Sequence, residues 1–89
     1  MKKTYKITSS EGLHARPTTL LVTAVTPFAS EVSMTYKEKT VNLKSIMGVM
    51  ALGVASGSVV DISAEGSDAK ELLDKVTEVI ISNGIGEEC

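Results

Sequence analysis

Eighty-nine residues, 43% of them hydrophobic and 22% charged, describe a single globular domain with no room for a second core. A net charge of −2 and only three aromatic residues, Tyr5, Phe28 and Tyr36, argue against a nucleic-acid surface. One cysteine, Cys89, excludes an intrachain disulfide, and one cysteine with one histidine, His14, exclude a metal cluster. No apolar run approaches the roughly 18 residues that span a bilayer. The basic start, Met1 to Lys6, has no apolar stretch behind it, so the cytoplasm is the expected compartment.

Two hydrophobic periods alternate along the chain. Residues 2–8 alternate, with Lys3, Tyr5 and Ile7 on one face, and read as a strand. From Ala15 to about Thr26 the spacing of Leu20, Leu21, Ala24 and Val25, and then of Phe28, is helical, and Pro27 should end that helix. Glu31 to Tyr36 alternates again, with Val32, Met34 and Tyr36 inward. Thr40 to Leu43 reads as its short hairpin partner, across a turn at Lys37-Glu38. A two-residue primed turn would strain both of those residues, which leaves room for a longer or different turn. Ser45 opens a short apolar helix to about Gly53, and residues 58–65 form a fourth strand with Val60, Ile62 and Ala64 on one side. Asp68 and Glu71 have capping-box spacing before a last helix. Ala69, Leu72, Leu73, Val76 and Ile80 mark its inner face, and Asn83-Gly84 its stop. The order β-α-β-β-α-β-α, with connections this short, predicts a mostly antiparallel sheet with the helices on one face, a two-layer α/β sandwich of the α+β class. The other face, with Thr8, Ser33, Thr35 and Ser63, can stay wet.

The chemistry concentrates in Gly12-Leu13-His14-Ala15-Arg16-Pro17. Gly12 permits a tight bend that displays the imidazole rather than packing it. Proline is tolerated in a first helical turn, where N–H groups lack intrahelical partners. His14 at or just before that turn therefore sits beside free amides, the positive end of a helix dipole and the Arg16 guanidinium. Neutral imidazole has the lone pair that attacks phosphorus, and the positive surroundings stabilise the charge of the group it takes up. Phosphoryl transfer asks for little more than positioning and charge stabilisation.

This run resembles the active-site signature of HPr, the histidine-containing phosphocarrier of the bacterial phosphoenolpyruvate:sugar phosphotransferase system. A second run, Val41-Asn42-Leu43-Lys44-Ser45-Ile46-Met47-Gly48-Val49-Met50, resembles the family's regulatory segment in its Gram-positive members. The likeness covers essentially the whole chain. It implies a four-stranded antiparallel sheet in the order 1-4-2-3 with three helices on one face. It also implies that His14 takes a phosphoryl group on Nδ1 from phosphorylated enzyme I and passes it to enzyme IIA of sugar transporters. The chain is then a covalent carrier rather than an enzyme, with no metal or cofactor. By the same resemblance Arg16 and the Ala15 amide contact the phosphate, and Pro17 shapes the helix start.

Read from local physics alone, Ser45 is a helix cap. The resemblance adds phosphorylation of Ser45 by an ATP-dependent kinase/phosphorylase and recognition of the product by a catabolite control repressor. Phosphate at a helix N-terminus favours the fold, so it would act by adding charge to a docking surface. Ile46, Met47, Val49, Met50 and Leu52 cannot all be buried in so short a helix. About half are expected in the core. Met47 and Met50 with Ile46, extended by Leu20, are expected to form an adaptable docking patch near His14. A carrier that meets several partners with one face is expected to be a monomer, with no direct nucleic-acid contact and no membrane insertion. Two rivals keep the histidine or the serine: an HPr-like regulator acting through Ser45, and a carrier for a nitrogen-related phosphotransferase chain. An acyl carrier fits poorly, since Lys44-Ser45-Ile46 replaces Asp-Ser-Leu and the chain is not all-helical.

Overall fold

The computed structural model describes all 89 residues. The elements are β1 (Lys2–Ile7), α1 (Ala15–Val25), β2 (Glu31–Tyr36), β3 (Lys39–Asn42), α2 (Ile46–Leu52), β4 (Val59–Glu65), α3 (Ala69–Ser82) and β5 (Gly86–Glu88). The strands form one antiparallel sheet in the order β3-β2-β4-β1-β5. Four of them stand as the resemblance implies. The fifth corrects the expectation of four: β5 pairs with the outer edge of β1, with Tyr5 opposite Glu88 and Ile7 opposite Gly86.

Period-two patterning decides which sheet face meets the helices. Val32, Met34 and Tyr36 of β2 and Val60, Ile62 and Ala64 of β4 are buried. They join Leu21 and Val25 of α1, Val49 of α2 and Leu72, Leu73, Val76 and Ile80 of α3 in one hydrophobic cluster. Tyr5 is wholly buried, and its hydroxyl meets that of Thr77 on α3 at 2.6 Å, so the one polar atom of the ring is satisfied. The opposite face is bare. There Thr4 Oγ1 donates to Asp61 Oδ1 at 2.7 Å and the Thr35 and Thr40 hydroxyls meet at 2.8 Å. Ser33 and Ser63 lie on it as expected, whereas Thr8 falls beyond the end of β1 and is simply exposed.

Helix ends follow local chemistry with one exception. α1 stops before Pro27, with the amide and hydroxyl of Thr26 both donating to the Val22 carbonyl. α3 stops at Asn83 because Gly84, at φ +64°, takes the left-handed conformation that β-carbons disfavour. The Gly84 amide then donates to Ile81 O and the Ile85 amide to Ile80 O, a Schellman turn closed by the buried pair Ile80 and Ile85. That turn points the chain back along β1.

The exception is Asp68. It precedes α3 but makes no side-chain cap, so the capping box is not formed. Its carboxylate instead accepts from the Ala29 amide at 2.9 Å, the Ser30 amide at 2.9 Å and the Ser30 hydroxyl. Three donors held by a neighbouring loop outcompete the helix's own amide, and they hold the Asp68 carboxyl below the usual carboxylate range, the Ser30 hydroxyl contributing most.

The β2–β3 connection settles the other open geometry. Tyr36 pairs with Lys39, so the turn is the two-residue form, and Lys37 and Glu38 sit at φ +48° and +68°. The twist of the paired strands selects this primed turn despite side chains unsuited to it.

Candidate functional site

His14 is the N-cap residue of α1, with extended backbone (φ −74°, ψ −172°) and an exposed side chain that makes no capping bond. Ala15 and Arg16 follow as the first two helical residues, and their amides lack intrahelical acceptors. Pro17, third in the helix, has no amide to leave unpaired. The His14 carbonyl accepts from the Thr18 amide at 3.0 Å, which starts the helix directly behind the imidazole. Arg16 is exposed and forms no ion pair, leaving its guanidinium available.

The approach to His14 is fixed by backbone contacts. Gly12 sits at φ +67°, and a β-carbon there would run into the Val54 carbonyl. That carbonyl accepts from the Leu13 amide at 3.0 Å, and the Leu13 side chain is buried in the core. Val54 follows Gly53, the left-handed C-cap of α2. The loop leaving α2 therefore braces the loop entering α1. Between them lies an open depression of about 460 Å³ lined by His14, Ser10, Glu11, Met50 and Ser56 among others. A larger depression, about 560 Å³, lies over the bare sheet face and includes neither His14 nor Ser45. It reaches Asn42 and Lys44, in the turn ahead of Ser45.

Ser45 is the N-cap of α2, and its hydroxyl accepts from the Gly48 amide at 3.1 Å, so the cap read from sequence is formed. The turn ahead of it is held by Asn42, whose side-chain oxygen accepts from the Lys44 amide at 2.8 Å and whose carbonyl accepts from the Ser45 amide at 3.0 Å. Lys44 Nζ donates to the Phe28 carbonyl at 2.7 Å, which fastens this turn to the segment after α1.

On α2 only Val49 is fully buried and Leu52 half-buried, while Met47 is 83%, Met50 42% and Ile46 41% exposed. Met50 reaches the depression beside His14, so the apolar patch and the imidazole share one surface. Leu20 is half-buried and packs against the core, so it lies less in the patch than expected. Residues 9–11 and 53–56 were not singled out from sequence. The turn-forming run Ser9-Ser10-Glu11-Gly12 was the available signal for the first of these.

Comparison with known proteins agrees along the chain. Residues 1–82 match the family described as the PTS HPr component phosphorylation site. A histidine-containing phosphocarrier protein from Mycoplasma superposes with a TM-score of 0.94 at 35% identity, covering 97% of this chain and 98% of that one. The phosphocarrier protein HPr of Bacillus anthracis gives 0.82 at 38% identity, covering 89% and 94%. Crh, a catabolite-repression protein of Bacillus subtilis seen as a swapped dimer, gives 0.73 at 38% identity, covering 86% and 88%. The histidine run at the start of α1, the β-α-β-β-α-β-α core and these matches place the chain in the HPr family of phosphotransferase-system phosphocarriers.

Proposed function

We propose that this protein carries phosphoryl groups on His14 between phosphorylated enzyme I, charged from phosphoenolpyruvate, and the enzyme IIA components of sugar transporters in the cytoplasm. The observation that carries the reading is the exposed, unbonded imidazole at the N-cap of α1, next to two free amides and an unpaired guanidinium. In uptake the Nδ1 lone pair attacks phosphorus, the bond from phosphorus to enzyme I breaks, and enzyme I keeps that electron pair. Delivery repeats the step with His14 as the leaving group. The Ala15 amide and the Arg16 guanidinium take the phosphate oxygens, and Pro17 keeps the helix start open. No metal or cofactor takes part. Ile46, Met47 and Met50, with the edge of Leu20, form the face on which partners dock, and one such face per chain suits a monomer.

Ser45 is the regulatory position in this reading. A phosphate on its hydroxyl keeps acceptor oxygens at the α2 start while adding charge to the docking face. A kinase/phosphorylase would install it, enzyme I would bind less well, and a catabolite control repressor would bind better. A second reading, a regulator working mainly through Ser45, is favoured by the likeness to Crh.

Incubation with enzyme I and phosphoenolpyruvate separates the two. An acid-labile adduct on the wild-type chain that is absent from His14→Ala is the expected result. Folded wild-type protein that stays unlabelled would leave the regulator as the better account.

A further inference from the structure

The His14 ring makes no hydrogen bond of its own, so its placement comes entirely through the main chain. Six contacts hold that main chain. The Thr8 and Ser9 amides both donate to the Ile85 carbonyl, at 2.9 and 3.1 Å. The Gly12 amide donates to the Ser9 carbonyl at 3.0 Å, and the Ser9 hydroxyl donates to the Gly12 carbonyl at 2.8 Å. Ser9 and Gly12 thus close a four-residue turn from both sides. Beyond it, the Leu13 amide is fixed on the Val54 carbonyl and the Leu13 carbonyl receives the Thr18 hydroxyl at 3.2 Å.

Within this brace the weak joint is Gly12. Glycine rotates freely at both main-chain bonds, and it lies two residues before the reacting imidazole. The Gly12–Leu13 peptide is gripped at both polar atoms, its N–H on the Val54 carbonyl and its carbonyl by the Ser9 hydroxyl, and the two together fix its plane. Every other contact in the brace except that from Thr18 runs from backbone to backbone and does not depend on the side chain. The hydroxyl at position 9 is particular to the residue.

We propose that Ser9 is a positioning residue for phosphoryl transfer, holding the Gly12 carbonyl so that the imidazole of His14 is presented in its attacking orientation. This rests on the carrier reading above. Ser9 bonds only Gly12 and Ile85 and does not line the depression shared by His14 and Met50, so its loss acts on the transfer step and not on partner affinity. Small angular errors at a reacting atom are costly in rate.

The test is steady-state phosphorylation by enzyme I and phosphoenolpyruvate at 25 °C with wild type, Ser9→Ala, Ser9→Thr and Thr26→Ala. Thr26 makes a comparable hydroxyl-to-backbone bond, 2.6 Å to the Val22 carbonyl, at the far end of α1. Ser9→Ala is expected to lower kcat about three- to tenfold, the scale of one lost hydrogen bond, with KM unchanged. Ser9→Thr should restore kcat, and Thr26→Ala should keep it even where its melting temperature falls. Wild-type kcat in Ser9→Ala, no rescue by Ser9→Thr, or a change in KM alone would each overturn the proposal. A wild-type chain that takes no phosphate at all overturns the carrier reading instead, and that control is read first.

Discussion

Two residues hold conformations their side chains resist. Lys37 and Glu38 both lie in the left-handed region, where a β-carbon costs roughly 1–2 kcal/mol. Lys37 recovers part of this by placing Nζ 5.3 Å from the Tyr36 ring centroid, whereas Glu38 gains no such contact. Glu38→Gly is therefore expected to stabilise the fold by about 1 kcal/mol, seen as a higher urea midpoint with an unchanged slope. Asp68 gives a prediction in pH. Its folded pKa lies below the ordinary 3.8, so its contribution is complete above that value and disappears as pH falls through the folded value. Melts of wild type and Asp68→Asn should differ at neutral pH and converge in acid, because the amide cannot accept from Ala29 and Ser30 with both its terminal atoms. Gly12 was legible from sequence as a bend. The role of Asp68 was not, since a three-residue spacing to Glu71 fits a capping box and nothing local discloses that the loop at Ala29-Ser30 comes within reach.

Among the elements, legibility tracked hydrophobic period. β2, β4 and α3 were readable because their buried residues recur at 2 or 3.6, and Pro27 and Gly84 mark ends by backbone chemistry alone. β5 could not be read that way. Gly86-Glu87-Glu88 has no apolar residue, and it becomes a strand only because the Schellman turn at Gly84 delivers it to the free edge of β1. There a β-carbon on residue 86 would meet the Lys6 carbonyl. Gly86→Val should peel this strand away, so the Cys89 amide, bonded to the Thr4 carbonyl at 2.9 Å, exchanges faster while the β1–β4 ladder stays protected. Hydrogen–deuterium exchange by residue reads both. At α2, Ser45→Ala removes the cap on Gly48 and should cost about 1 kcal/mol in a thermal or urea melt. It separates the serine's structural contribution from any signal it carries.

At the scale of the whole molecule there is one core, and no helix is long and apolar enough to cross a membrane. Tyr5 on β1 and Tyr36 on β2 are both buried in that core, on strands separated by β4. In the absence of tryptophan they are the fluorescent reporters. A single core predicts that urea unfolding followed by tyrosine fluorescence and by far-ultraviolet circular dichroism gives coincident curves. A lag in either would mean that the sheet and the helical layer part separately. The sandwich also segregates its roles. His14, Ser45, Met47 and Met50 all belong to the helical layer or the loops entering it, and the far face of the sheet holds none of them.

That bare face has a consequence for how the sequence can drift. Ser33, Thr35, Asp61 and Ser63 project from the same strands as Val32, Met34, Val60 and Ile62, yet they border water and short hydroxyl contacts instead of the core. Along residues 31–36 and 59–65, tolerance to replacement should then rise and fall with every second position, like the teeth of a comb. A lineage could recolour one side of the sheet, shifting solubility and charge, while the other side and the histidine it supports stay as they are.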